Sequence, residues 1–266
     1  MRSRFALGWQ IGLSLGLALL AACAAEPEPA APFDGPAAWR RSIEIAKAEW
    51  RRFGEQVVYY RYGDDGGETR VIDPVRLWED DRKAYEPLLD YWAVVGEGRS
   101  TFQSWRECQG AWAQKCPWQL PWSAAFISYI MASAGIPESE FHADAEHWDY
   151  VRHLISRSKN PGAVFAPETI EAYAPKPGDL ICKTRAGATP PPAEQLIAHP
   201  TKFGGSLPMH CDFVVANNGA TIEAVGGNVL NSVSKSMIPA MDGKLIPGRA
   251  GKWFVILRNV HGQPAM

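Results

Sequence analysis

"PWSAAFISYIMASAGIP", residues Pro121 to Pro137, carries no charged side chain and is apolar on nearly every side of the turns between Trp122 and Ala134. That pattern marks a helix buried all round rather than one lying on a surface. Gly135 stands just past the last periodic residue and Pro137 beyond it, the expected stop signals. Ser123 at the entrance has two readings. Serine is a favoured N-cap, its oxygen accepting from an N–H of the first turn, and with that cap Trp122 and Ile127 stand where a hydrophobic staple closes. The other reading is a nucleophilic hydroxyl held at a helix N-terminus.

A fully buried helix needs other elements packed around it. Upstream, Trp39, Ile43, Ala46, Trp50 and Phe53 recur at alternating steps of four and three, one stripe of an amphipathic helix. The "VVYY" that follows reads as a short strand. "DPVRLWEDDRKAYEPLLDYWAVVG" predicts a second helix with Leu77, Tyr85, Leu88, Leu89 and Trp92 inward and Gly96 past its end. Downstream, "ESEFHADAEHWDYVRHLISRS" predicts a further helix carrying His147, Trp148 and Val151. After Pro175 the period changes to that of strands. "KPGDLICKT" is a turn and a short strand, "MHCDFVVANNGATIEAV" is two alternating runs joined at Asn217-Asn218-Gly219, and "KWFVILRNV" is a last strand. Between the first two lies a Pro/Gly-rich segment at 184–208, read as a long loop. Helices first and a small antiparallel sheet afterwards is an α+β arrangement. An N-terminal helical layer is expected over 37–105 and an α+β domain over 106–266.

The start of the chain speaks to compartment. Arg2 and Arg4 precede an apolar run from Ile11 to Leu20 that is too short to span a bilayer, and small residues follow it. This is a secretory signal over 1–22. The run ends Leu20-Ala21-Ala22-Cys23, which resembles the lipobox of bacterial lipoproteins; the resemblance implies cleavage before Cys23, a lipid on its thiol and, with Ala24 two positions on, an outer-membrane destination. Residues 23–36 are rich in Pro and Ala and suit a tether. The formal net charge of −2 argues neither for nucleic acid nor for an electrostatic membrane patch. Contact with the membrane is therefore expected through the lipid alone.

Besides Cys23 there are four cysteines: Cys108, Cys116, Cys182 and Cys211. An even number in an oxidising compartment suggests disulfides. Cys108 and Cys116 share one loop region and are natural local partners, while Cys182 and Cys211 sit in two predicted strands and can pair across them. Spacing alone does not decide the pairing. No CxxC or HxxxH spacing occurs, so no metal site and no cofactor are expected.

Chemistry gathers around three positions. Period-two geometry on 209–215 puts His210, Asp212 and Val214 on one face and Cys211, Phe213 and Val215 on the other. The next run ends in Gly226-Gly227-Asn228, read as glycines that let the backbone turn. The segments "PWSAAFIS", "PKPGDLI", "MHCDFVV" and "IEAVGGNV" in this order resemble papain-like cell-wall hydrolases of the CHAP and NlpC type. The closest likeness, with its Trp-Ser-Ala-Ala-Phe, is to the family called domain of unknown function 2272. The resemblance implies a papain-like core with catalytic Ser123, His210 as its base and Asn228 as the orienting residue. Trp122, His147 and Asp212 are expected near the substrate. The families keep a cysteine where this chain has Ser123, and a hydroxyl needs a true general base where a thiol readily ionises. The expected activity is an amidase or peptidase acting on peptidoglycan peptides. An inactive relative that binds cell-wall peptide or glycan, and a scaffold lipoprotein, are the alternatives.

Overall fold

In the computed structural model, the described residues are 33–62, 68–73, 76–185, 187–247 and 252–261. The expected signal peptide, Cys23 and most of the tether lie outside them. Asp34 starts α1 (Gly35–Arg52): its carboxylate accepts from the Ala37 amide at 2.9 Å, and Pro36 sits in the first turn, where no amide is needed. The predicted stripe faces inward, with Trp39, Ala46 and Phe53 buried and Ile43 and Trp50 at its margin. The second helix, α2 (Arg82–Ala93), starts later than its apolar pattern, after an extended Asp81, and buries Tyr85, Leu88, Leu89, Tyr91 and Trp92. A single turn, α3 (Trp105–Cys108), is closed by a capping box between Ser104 and Glu107. Then come α4 (Ser123–Ser133), α5 (His147–Arg157) and α6 (Ala193–Ala198), the last inside the segment read as loop. Helix α4 is the buried one: Ala125, Phe126, Ile127, Ile130 and Met131 have no exposure, and it packs on α1, α2 and the sheet.

The sheet is larger than the small antiparallel one expected. Its nine strands are β1 (Val57–Tyr62), β2 (Glu68–Ile72), β3 (Phe165–Thr169), β4 (Leu180–Thr184), β5 (Met209–Asn217), β6 (Thr221–Gly226), β7 (Ser234–Met241), β8 (Lys244–Leu245) and β9 (Trp253–Asn259). They lie in the order β2-β1-β7-β6-β5-β4-β9-β3, with β8 paired to β7 alone. All neighbours are antiparallel except β1 and β7, which run parallel. Strand β7 escapes a hydropathy reading because the residues it buries include Ser234 and Ser236 rather than a run of apolar side chains.

The sheet is strongly curled. In the strand order β1 and β4 are separated by three strands, which in a flat sheet means roughly 19 Å. Yet Lys183 Nζ on β4 donates to Tyr60 Oη on β1 at 2.9 Å. The curl divides the interior in two. The helices cover one face over Leu180, Cys182, Cys211, Phe213, Val225 and Val255, while the concave face encloses Val58, Ile181, Val214, Ile222, Ile238 and Ile256. The two disulfides are Cys108–Cys116 and Cys182–Cys211, the second joining residues directly opposite on β4 and β5.

Candidate functional site

Ser123 is not the cap of α4. Trp122 takes that position and Ser123 is the first helical residue. Its hydroxyl instead meets His147 Nε2 at 2.7 Å and receives a hydrogen bond from Arg185 Nη2 at 2.9 Å. Ser123 is 1% exposed and His147 5%, so this contact is made away from bulk water. The ring that the hydroxyl meets is thus His147, whereas the sequence reading gave the base role to His210.

His147 is the first residue of α5, and Tyr150 lies one turn along the same helix, where residues three apart are neighbours. The Tyr150 hydroxyl meets His147 Nδ1 at 2.5 Å. Arg185 can only donate, so one Ser123 lone pair is occupied and the serine proton is free to point at Nε2. Nδ1–H then donates to Tyr150, the tautomer in which Nε2 is a base. Burial pushes the His147 pKa well below that of free imidazole, and the nearby His210 and Arg185 push the same way. At neutral pH the ring is therefore uncharged and able to accept a proton.

The predicted alternation on β5 holds, so His210 and Asp212 share the concave face. His210 Nε2 meets Asp212 Oδ1 at 2.6 Å, and Ser236 on β7 donates to Asp212 Oδ2 at 3.2 Å. Burial is the largest influence on His210 and lowers its pKa; the Asp212 carboxylate opposes this, and Lys183 and Arg185 reinforce it. The His147 and His210 rings lie edge to face with centroids 5.4 Å apart. Lys183, opposite His210 on β4, is sandwiched between the Tyr60 and Trp253 rings at 4.9 and 4.7 Å from their centroids.

Gly226 and Gly227 are needed for close approach, not for a turn. Neither has positive φ; a Cβ on Gly226 would lie 1.8 Å from Asp212 Oδ1, and one on Gly227 2.5 Å from the Phe126 Cβ. The turn is made by Asn228 (φ 54°), Leu230 (φ 54°) and Asn231 (φ 60°). Asn228, expected to orient His210, is half-buried in that turn, and it is Asp212 that holds the imidazole. Trp122, expected near substrate, is wholly buried core: its indole N–H donates to Glu79 at 2.7 Å and its ring stacks on Tyr91.

The structure thus brings together Ser123, His147, His210 and Asp212. It adds Tyr150, Lys183, Arg185 and Ser236, which sequence reasoning did not assign to a site. Tyr150 was within reach, since it stands three residues after a candidate histidine. Arg185 was hidden at the start of the segment read as loop. Among the described residues no three His, Cys, Asp or Glu side chains gather as a metal would require, and no helix is long and apolar enough to cross a membrane.

Residues 79–258 match the family described as an uncharacterized protein conserved in bacteria, DUF2272, and the chain belongs to that family. The match takes in Ser123, His147, Arg185, His210 and Asp212. No curated protein and no solved structure matches the chain.

Proposed function

We propose that this DUF2272 protein is a lipid-anchored hydrolase of the bacterial cell envelope, cleaving peptide or amide bonds of peptidoglycan from a papain-like site in which serine replaces cysteine. The observation that carries the reading is the buried 2.7 Å contact between Ser123 Oγ and the neutral His147 Nε2. Ser123 attacks the acyl carbon while its proton passes to Nε2. The Oγ–carbon bond forms, the carbon–nitrogen bond breaks, and the leaving amine takes the proton from His147. Water repeats the cycle on the acyl-enzyme and releases the acid. The α4 amides ahead of the first intrahelical bond, Phe126 N–H to Trp122 O, have no intrahelical acceptor and are assigned here to the oxyanion. Tyr150 positions the base, and the His210–Asp212 pair fixes the wall beside it. Lipidation of Cys23 and outer-membrane anchoring complete the reading and rest on the signal sequence.

A binding role without turnover is the second reading, favoured by the 1% exposure of Ser123. Incubation of the full protein with purified peptidoglycan, scored by new amino groups and released muropeptides, separates the two. Turnover lost in both Ser123→Ala and His147→Ala, with thermal stability retained, is the expected result. Iodoacetamide labelling of Ser123→Cys that depends on His147 supports the assigned base. Turnover that survives Ser123→Ala would retire the hydrolytic scheme.

A further inference from the structure

Arg185 follows β4 directly, and its backbone is held: the amide donates to Pro208 O at 2.9 Å and the carbonyl accepts from Ala188 N at 3.1 Å. Its guanidinium is half-buried, and the bond to Ser123 is its one hydrogen bond among the described residues. No described carboxylate pairs with it, whereas Arg99, Arg152, Arg157 and Arg258 each have an acidic partner. Arg185 disfavours protonation of His147 and of His210, and Lys183, also without a carboxylate partner among the described residues, sits opposite His210. The carboxylate of this cluster, Asp212, is already taken by His210 and Ser236. Burial lowers the pKa of Arg185 itself with no acid to offset it.

A partly desolvated cation without a counter-ion is costly, and a ligand that supplies the missing charge removes the cost. The guanidinium has five N–H donors in a planar fork that matches a carboxylate with two parallel bonds. Nη2 carries two hydrogens, so it can hold Ser123 and one carboxylate oxygen while Nη1 takes the other. We infer that Arg185 is the recognition group for a free carboxylate, so that the site takes peptides or acylated amino acids whose terminal carboxylate lies beside the amide presented to Ser123. This rests on the Ser123–His147 site proposed above and narrows its substrates to those with an acidic end.

The test is calorimetric titration of the full protein with N-acetyl-alanyl-alanine, in L,L and D,D forms, against the same dipeptides as C-terminal amides. Turnover of all four is followed in parallel. The expected result is an acid bound at least ~10-fold more tightly than its amide. That ratio collapses in Arg185→Met and Arg185→Gln and is partly kept in Arg185→Lys, with circular dichroism showing each variant folded. Equal binding of acid and amide, binding of neither at millimolar concentration, or a ratio that survives in Arg185→Gln overturns the inference. So does an Arg185→Met variant that slows acid and amide turnover alike, because that assigns Arg185 to the oxyanion. Arg185-dependent preference for the acid without turnover sustains the inference while retiring the hydrolase reading. Turnover of peptidoglycan without acid preference does the reverse.

Discussion

Replacing Gly226 by alanine tests how tightly the His210–Asp212 pair is built. Gly226 has ordinary negative φ, so alanine meets no backbone penalty, and the whole cost comes from what its Cβ strikes. That atom would stand 1.8 Å from Asp212 Oδ1 and 2.9 Å from both Asp212 Cγ and Val229 Cγ2. For an ordinary contact the carboxylate has to retreat by about 1.6 Å, which breaks its 2.6 Å bond to His210. Overpacking costs about 1–3 kcal/mol, and a buried carboxylate stripped of its partner costs about 3 kcal/mol more. Gly226→Ala is therefore expected to lose about 4–6 kcal/mol in guanidinium denaturation with disulfides oxidised. Gly219→Ala is the control: its φ is +91° with nothing within 4 Å of a Cβ, so it loses only the left-handed strain of about 1 kcal/mol. In an Asp212→Ala background only the 2.9 Å contact with Val229 Cγ2 remains, so Gly226→Ala should cost the overpacking alone, about 1–3 kcal/mol, a coupling of about 3 kcal/mol at the top of the range for residues in contact. A Gly226→Ala loss no larger than that of Gly219→Ala, or one that adds in full to Asp212→Ala, would refute the reasoning.

Two further expectations concern stability. Asp179, buried before β4, accepts from the Lys176 and Asn259 amides, yet burial raises its pKa from 3.8 to about 7. A carboxyl whose folded pKa lies above its unfolded one stabilises the fold below the unfolded pKa and loses that contribution as pH rises through the folded one. Stability should therefore fall by up to ~4 kcal/mol between about pH 4 and pH 7. Asp179→Asn should remove that slope: it lowers stability by ~1–3 kcal/mol at pH 4, because an amide NH2 then faces a backbone N–H, and leaves the variant the more stable of the two at pH 7.5, where the parent has lost its ~4 kcal/mol; urea melts at pH 4, 5.5 and 7.5 read both effects, and an unchanged slope denies Asp179 the role. The disulfides close loops of sequence separation 29 and 8, so Cys182→Ala/Cys211→Ala should cost about 3.6 kcal/mol and Cys108→Ala/Cys116→Ala about 2.5 by chain entropy. The order of the two denaturation midpoints checks this, and a reversed order contradicts it.

The α+β arrangement, the buried helix and the alternation on β5 were legible because each rests on a period set by local geometry. Ser123 at the mouth of α4, His147 on a helix and the paired faces of His210 and Asp212 could all be placed that way, although the helix expected from Glu138 starts only at His147. What was not legible depends on contacts between distant segments. Strand β3 contains Pro167, β7 buries Ser234 and Ser236, and the parallel pairing of β1 with β7 leaves no mark in either segment. The choice of His147 over His210 for Ser123 depends on where α5 enters after the Phe141–Glu146 segment, which no spacing encodes. Gly226 and Gly227 were misread because a glycine demanded by a neighbour's side chain looks, in sequence, like a glycine demanded by a turn.

The site stands where the two halves of the interior meet, and β5 is the hinge of that arrangement. Its odd-numbered residues Cys211 and Phe213 lie under the helices, and its even-numbered residues His210, Asp212 and Val214 look into the concave face. The Cys182–Cys211 bond locks β4 to β5 with these two residues opposed, which in the same register opposes Lys183 to His210 and delivers Arg185, just past the end of β4, to Ser123. A slip of one residue would turn every one of these side chains to the other face. Asp212 would then lie against the helices, away from Ser236 of β7, and Cys211 would lose its partner. The disulfide, the glycine beside Asp212 and the buried serines of β7 therefore act on one quantity, the register of β5. Through that register, Ser123 and Arg185, 62 positions apart in the chain, meet at one buried hydroxyl.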